Sequence, residues 1–131
     1  MTRVVEPYSP MSLRKLAEYL ARTGDEPVRR KLLLEFLEEY RWEPLPDRLR
    51  LLDDEPARTG DKRWDVLLAA LADHLASSDG GLEPSWAEDR SLRQWWFPDD
   101  TSFGRADAFV RAPAAFRRRG VFIAEHDLAR A

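Results

Sequence analysis

The chain has 131 residues, the size of one compact domain, and it has no cysteine, which excludes disulfide bonds, thiolate nucleophiles and zinc sites built on sulfur. Its 21 basic and 24 acidic residues give a net charge of -3, which argues against a uniformly basic nucleic-acid-binding protein. No apolar run approaches the roughly 20 residues of a membrane span and the N-terminal residues lack the apolar core of a signal peptide, so we expect a cytoplasmic protein.

The N-terminal part is predicted to contain two helices and a third, shorter one. Apolar residues that recur every three or four positions predict a helix over 12–22, because that is the period of one helix face. The second helix is expected to run from its N-cap, Asp25, to about Tyr40. Prolines then interrupt the pattern, so a short helix over 45–53 and a polar loop over 53–61 are predicted.

The clearest helix is predicted over 62–77, behind the N-cap Asp61. Large apolar residues line one face of it and alanines allow neighbouring helices to approach, so we expect it at the centre of the core. Shorter elements follow it: helices at 85–96, 103–111 and 113–119, an extended segment at 121–123 and a final turn at 125–130.

The pentapeptide ARTGD occurs twice, at 21–25 and at 57–61. One interpretation is a repeated helical hairpin, since the distance between the copies is close to known repeat periods. The other is that Gly and Asp are the residues that a helix end and a helix start require. We favour the second interpretation because the residues after the two copies share only an apolar bias.

Together these elements predict an all-α fold. We expect a compact bundle of about five to seven short helices, with at most one short extended segment near 121–123. A single domain is predicted over 1–131, with N-terminal helices over 1–58 and a C-terminal region over 59–131.

The residues that could carry chemistry do not form a recognisable catalytic motif. Neither His74 nor His126 has another ligand at metal-binding spacing; His74 is interpreted as a packed structural residue and His126 as an exposed one. Asp99 and Asp100 follow a proline, which is more typical of a turn or a helix cap than of an acid and base pair. No nucleophile motif or phosphate-binding glycine loop is present, so we expect no enzymatic activity, no cofactor and no metal site.

Three adjacent aromatic residues, Trp95, Trp96 and Phe97, are the first feature that suggests a binding role. If they lie on a helix, they point about 100° apart, so they cannot all enter one core face. One interpretation is an anchor for a partner, and the other is a small second core under the C-terminal segment. We favour the second core for Trp96 and Phe97, which leaves one tryptophan as a candidate anchor.

The second feature is the basic run from Arg117 to Arg119, with Arg111 nearby. Residues 111–131 contain five arginines against two acidic residues, whereas residues 61–110 contain five basic and ten acidic residues, so the charge is polarised along the chain. The run is interpreted either as a contact for phosphate or carboxylate groups or as an exposed helix end that complements the helix dipole. Candidate partner-binding residues are Trp95, Trp96, Arg111, Arg117, Arg118 and Arg119.

Three stretches of the C-terminal region carry a resemblance to a known group. WDVLLAALADHLA, RSLRQWWFP and APAAFRRRGVFIAEHDLARA make the chain, from Thr59 onward, similar to small, uncharacterised actinobacterial helical proteins. Members of that group lie beside predicted nucleotidyltransferase-like proteins, in an arrangement that resembles an antitoxin and its toxin. The resemblance implies an accessory or neutralising partner and transfers no catalytic residues.

These observations lead to one functional hypothesis and one alternative. The first is a non-enzymatic, antitoxin-like protein that neutralises or regulates a partner protein, with a nucleotidyltransferase-like toxin as the candidate partner, through its C-terminal half. The alternative is a DNA-binding transcriptional regulator that uses the N-terminal helices or the patch from Arg117 to Arg119. An enzyme would require a pocket that gathers His74 or His126 with carboxylates.

Overall fold

The structure is a computed structural model that describes residues 9–129. Within this range the chain is helical and has no strand or sheet, which confirms the predicted all-α class. The helices are α1 (Leu13–Leu20), α2 (Glu26–Trp42), α3 (Asp47–Arg50), α4 (Lys62–Ser78), a 3-10 turn (Ser85–Ala87), α5 (Ser102–Arg111), α6 (Ala114–Arg117) and α7 (Glu125–Ala129). No helix of this range combines the length and the apolar character that a membrane span requires.

Both copies of ARTGD lie at the start of a helix. In each copy the threonine hydroxyl oxygen accepts a hydrogen bond from the backbone amide of the aspartate two residues later, at 3.1 Å for Thr23 and 3.2 Å for Thr59. The aspartate then caps the following helix: Asp25 caps α2 and Asp61 caps α4. The same local capping chemistry therefore accounts for the threonine and the aspartate of both copies.

Helix α4 lies at the centre of the main core, as its sequence predicts. Every side chain from Trp64 to Asp73 is buried, so protein covers this helix on all sides. Helices α1 and α6 and the 3-10 turn pack against it. The core cluster extends from Leu13 to Leu128 and thus includes side chains of both the N-terminal and the C-terminal parts.

The predicted helix over 85–96 is wrong beyond its first turn. The amides of Leu92 and Trp96 donate to the carbonyl oxygens of Arg119 and Gly120, both at 2.8 Å, and the amide of Phe122 donates to the carbonyl of Trp96 at 2.9 Å. These bonds use the groups that a helix would need for itself. The predicted extended segment at 121–123 forms only one parallel bridge, between Trp96 and Val121.

Gly120 allows these two segments to approach. Its φ of 83° lies in the left-handed region, and a Cβ at this position would lie 3.1 Å from the carbonyl oxygen of Leu92. A second, smaller core forms next to the bridge, where Phe97 packs against Ala108, Ala112 and Phe122. The fold thus consists of one main core around α4 and a small aromatic core beside α5.

Candidate functional site

Four aromatic rings form one cluster beside α5. Phe122 is buried at its centre, and the rings of Trp95, Phe97 and Phe109 surround it at centroid distances of 4.9, 4.8 and 6.0 Å. Trp95 also contacts Phe109 at 6.0 Å. Of these rings, Trp95 is 61% exposed and Phe109 is also exposed. We call Trp95, Phe97, Phe109 and Phe122 the aromatic cluster.

The extended backbone at 95–97 sets the directions of the three adjacent aromatic side chains. Successive side chains of an extended segment point to opposite sides, so Trp95 and Phe97 share one side and Trp96 takes the other. Trp96 is half-buried and packs edge-on against Trp64 of the main core, at 5.9 Å. Trp95 is the more exposed of the two tryptophans, whereas Trp96 joins the main core and also lines a cleft beside Trp95, so it stays a candidate for partner contact.

The predicted patch of three successive arginines is also corrected, because Arg119 points into the protein. Its side chain is 5% exposed and its guanidinium donates to Asp73 at 2.7 Å and to the carbonyl oxygen of Ala115 at 2.9 Å; it also binds Glu83. Asp73 is 2% exposed, and a buried carboxylate requires a cation. A residue enclosed in this way cannot line a binding surface.

The other three predicted arginines lie at the surface but in different environments. Arg118 binds the same Asp73 from the solvent side, and Arg111 pairs with Asp107 at 2.9 Å. Arg117 lies over Phe109 and Phe122, with its guanidinium carbon 5.5 Å from each ring centroid. Of the run from Arg117 to Arg119, only Arg117 therefore joins the aromatic cluster, and the run does not present three cations together to a phosphate backbone.

The electrostatics at Asp73 explain why two arginines converge on it. Burial alone would raise the pKa of this carboxyl, but the hydrogen bonds and charges of Arg119 and Arg118 outweigh burial and hold the pKa below its usual value. Asp73 is therefore charged at neutral pH. The buried ion pair of Asp73 with Arg119 is therefore part of the protein interior, whereas Arg118 remains exposed.

Further arginines, which the sequence analysis did not single out, lie beside Trp95. A cleft of about 410 Å³ next to this ring is lined by three arginines. They are Arg30, Arg63 and Arg105. Arg105 lies 4.9 Å from the ring centroid of Phe97 and Arg63 lies 5.0 Å from that of Trp96. We call this the arginine cleft; no local sequence pattern could reveal it, because its arginines come from α2, α4 and α5.

Charge in the arginine cleft is only partly compensated. Glu26 and Asp100 also line it, but within residues 9–129 neither Arg30 nor Arg105 forms an ion pair. Arg30 instead donates to the carbonyl oxygen of Pro98. Guanidinium groups on aromatic faces form cation–π contacts and keep their N–H donors at the ring edges available. The surface around Trp95 thus offers apolar rings together with partly compensated positive charge.

The two histidines have different surroundings. His74 is half-buried against Phe116, with ring centroids 5.9 Å apart, and burial lowers its pKa. His126 is exposed, and its Nε2 lies 2.7 Å from a carboxylate oxygen of Asp107. No local spacing could predict this contact, since Asp107 belongs to α5 and His126 to α7.

The aspartates at 99 and 100 behave as turn residues. Asp99 accepts hydrogen bonds from the amide and the hydroxyl of Thr101, at 3.2 and 2.8 Å, and these bonds lower its pKa. The cap of α5 is Thr101 itself, whose hydroxyl oxygen accepts from the amide of Gly104 at 3.0 Å. Both observations agree with a turn before a helix.

An apolar cavity of about 320 Å³ lies between α2, α4 and the C-terminal segment. Its walls include Leu33, Leu67 and Phe122, and the carboxylates of Asp99 and Asp127 lie at its edge. Neither histidine lines it, so it does not gather an imidazole with carboxylates in the way that the enzyme hypothesis requires.

Compared with models of known protein families, with curated proteins and with solved structures, the chain matches none of them.

Proposed function

We propose that this protein is a non-enzymatic, antitoxin-like accessory that binds a partner protein through the aromatic cluster of its C-terminal half and the adjoining arginine cleft, to which α2 contributes Arg30. In this proposal it acts in the cytoplasm and neutralises or regulates its partner. The single observation that carries the proposal is Trp95, which is 61% exposed in the middle of a cluster of aromatic rings and arginines.

Exposed aromatic rings of this kind favour protein binding. Trp and Arg are enriched among the residues that dominate interface energetics, because they provide large contact areas with few rotatable bonds or several directed hydrogen bonds. Trp95 is held in place by Phe109 and Phe122, so little side-chain freedom remains to be lost on binding. The outer face of α5 adds two more exposed apolar side chains, Phe103 and Val110, which lie two helical turns apart.

The charges favour an acidic partner surface. Neither Arg30 nor Arg105 forms a close ion pair among the described residues, and Arg117 lies over the rings of the aromatic cluster. Guanidinium groups pair with carboxylates in a bidentate geometry, which gives orientation as well as affinity. The resemblance noted above implies a nucleotidyltransferase-like partner, and this charge pattern favours a partner whose contact surface is rich in carboxylates.

Co-purification with the product of the neighbouring gene tests the proposal. Trp95→Ala is expected to weaken the complex about thirty-fold or more, which corresponds to a loss of about 2 kcal/mol at a central interface residue. Trp42→Ala is the matched control, because Trp42 is 80% exposed on α2, outside the aromatic cluster. Calorimetric titration gives the two affinities, and circular dichroism confirms that both variants fold.

Two results would overturn the proposal. The first is a wild-type protein that neither co-purifies with its neighbour nor protects cells from it. The second is a complex that Trp95→Ala and Arg117→Glu leave at wild-type affinity. A shift of DNA mobility at low salt that is lost in Arg117→Glu would instead favour the DNA-binding alternative.

A further inference from the structure

One imidazole and two carboxylates converge where α7 meets α5. The Nε2 atom of His126 lies 2.7 Å from an oxygen of Asp107 and 3.8 Å from an oxygen of Asp127. One donor atom from each of the three residues lies within 4.8 Å of the others. The three side chains therefore present a mixed nitrogen and oxygen donor set to one point.

The fold builds this cluster from distant parts of the chain. Asp107 lies in the second half of α5, and His126 and Asp127 are in α7, after the chain has turned through α6 and the bridge at Val121. Leu128, the next residue of α7, is buried in the main core, and this fixes the start of the helix beside α5. The convergence is thus a property of the tertiary structure and not of a flexible terminal segment.

The separations match those of ligands around one small metal ion. Zn²⁺ binds imidazole nitrogen and carboxylate oxygen at about 2.0 to 2.2 Å, so two tetrahedral ligands lie about 3.4 Å apart. The observed 2.7 and 3.8 Å fall on either side of this value. The 2.7 Å contact is a hydrogen bond between Nε2 of His126 and Oδ2 of Asp107, and a bound ion would replace it.

Asp107 is already oriented for such a role. Its Oδ1 forms an ion pair with Nε of Arg111 at 2.9 Å, which leaves Oδ2 directed at His126. Partners of this kind orient metal-binding carboxylates. The Asp107 side chain is 16% exposed, whereas those of His126 and Asp127 are about half exposed, so the remaining coordination positions are open to water.

We infer that Asp107, His126 and Asp127 form a binding site for a divalent transition-metal ion, with Zn²⁺ as the best match. An imidazole with two carboxylates suits Zn²⁺ and its neighbours, whereas Ca²⁺ and Mg²⁺ require oxygen ligands alone. The ion ties α7 to α5 and so fixes the C-terminal end of the fold against the aromatic core. This site is separate from Trp95 and does not depend on the proposed protein-binding surface.

Metal titration of the full chain, with any affinity tag removed, tests the inference. Calorimetry is expected to give saturable binding of one Zn²⁺ per chain at micromolar concentration, and Co²⁺ in the same site is expected to give visible d–d absorption bands that Zn²⁺ abolishes. Zn²⁺ should also raise the melting temperature, because it binds the folded state. Mg²⁺ at the same concentration should do neither.

His126→Gln and Asp107→Asn are each expected to abolish the cobalt spectrum and the thermal shift. The matched control is His74→Gln, which removes the other histidine of the chain and should leave both signals unchanged. The inference is overturned if the wild-type protein binds no Zn²⁺ in this range, or if His126→Gln binds it as the wild type does. Trp95→Ala should keep the metal signals, so the outcome is independent of partner binding.

Discussion

Arginine occurs both in the ion pairs around Asp73 and beside the aromatic cluster, but its role differs between the two regions. At Asp73, arginine is drawn inside the protein because a buried carboxylate must be neutralised. At the aromatic cluster, arginine stays outside and lies on ring faces. Arg119 and Arg117 belong to the same short run, yet one is part of the core and the other is part of a surface.

This difference shows that a charged run does not define a surface. The last turn of α6 and the turn that follows it direct successive side chains away from one another. Arg119 reaches Asp73 and Glu83, and Arg117 reaches Phe109 and Phe122. The proposed binding surface has fewer of the predicted arginines but gains Arg30, Arg63 and Arg105 from other helices.

The largest expected effect separates these two arginines by stability. Arg119→Met is expected to lower the free energy of unfolding by about 3 kcal/mol, because it leaves buried Asp73 with an incomplete set of partners. Arg117→Met is the control and should cost less than about 1 kcal/mol, since its guanidinium lies at the surface. Urea denaturation measures both values. Equal losses for the two variants would contradict the assignment of Arg119 to the core.

A smaller effect separates the two tryptophans. Trp96→Ala is expected to lower the free energy of unfolding by about 2 to 3 kcal/mol, because it removes the contact with Trp64 and leaves a cavity. Trp95→Ala should cost about 1 kcal/mol, as most of its ring faces solvent. Denaturation in urea and partner titration should therefore rank the two variants in opposite orders. The same order in both measurements would contradict the division of their roles.

What the sequence could predict depended on how local the controlling interactions are. Helix α4 was predicted correctly because Asp61 caps it and its apolar residues repeat within the helix itself. The segment before Trp96 was predicted wrongly as a helix. Its backbone amides donate to the carbonyl groups of Arg119 and Gly120, and no local sequence pattern indicates such bonds. The buried position of Arg119 could not be predicted, because its partner Asp73 lies 46 residues away in the sequence.

The same limit applies to the candidate sites. Trp95 could be proposed from three adjacent aromatic residues, although the backbone that directs them is extended rather than helical. Phe109 and Phe122, which complete the aromatic cluster, are ordinary apolar residues in the sequence. The contact of His126 with Asp107 joins two helices and therefore requires the tertiary structure.

The smallest expected effect concerns His74, the residue that follows Asp73 of the buried ion pair with Arg119. Burial lowers the pKa of this imidazole, although the nearby charges of Glu125 and Asp73 act in the opposite direction. The folded state therefore disfavours the protonated form, and the unfolded chain takes up this proton first as the pH falls through about 6.5. The stability that the neutral imidazole contributes is present above this pH and is lost below it.

Urea denaturation of the wild type and of His74→Gln at pH 7.5 and 5.5 isolates this effect, since other groups titrate alike in both proteins. The wild type should lose more stability than the variant between pH 7.5 and 5.5. If the difference in the free energy of unfolding between the two proteins is the same at both pH values, burial does not disfavour the protonated form of His74.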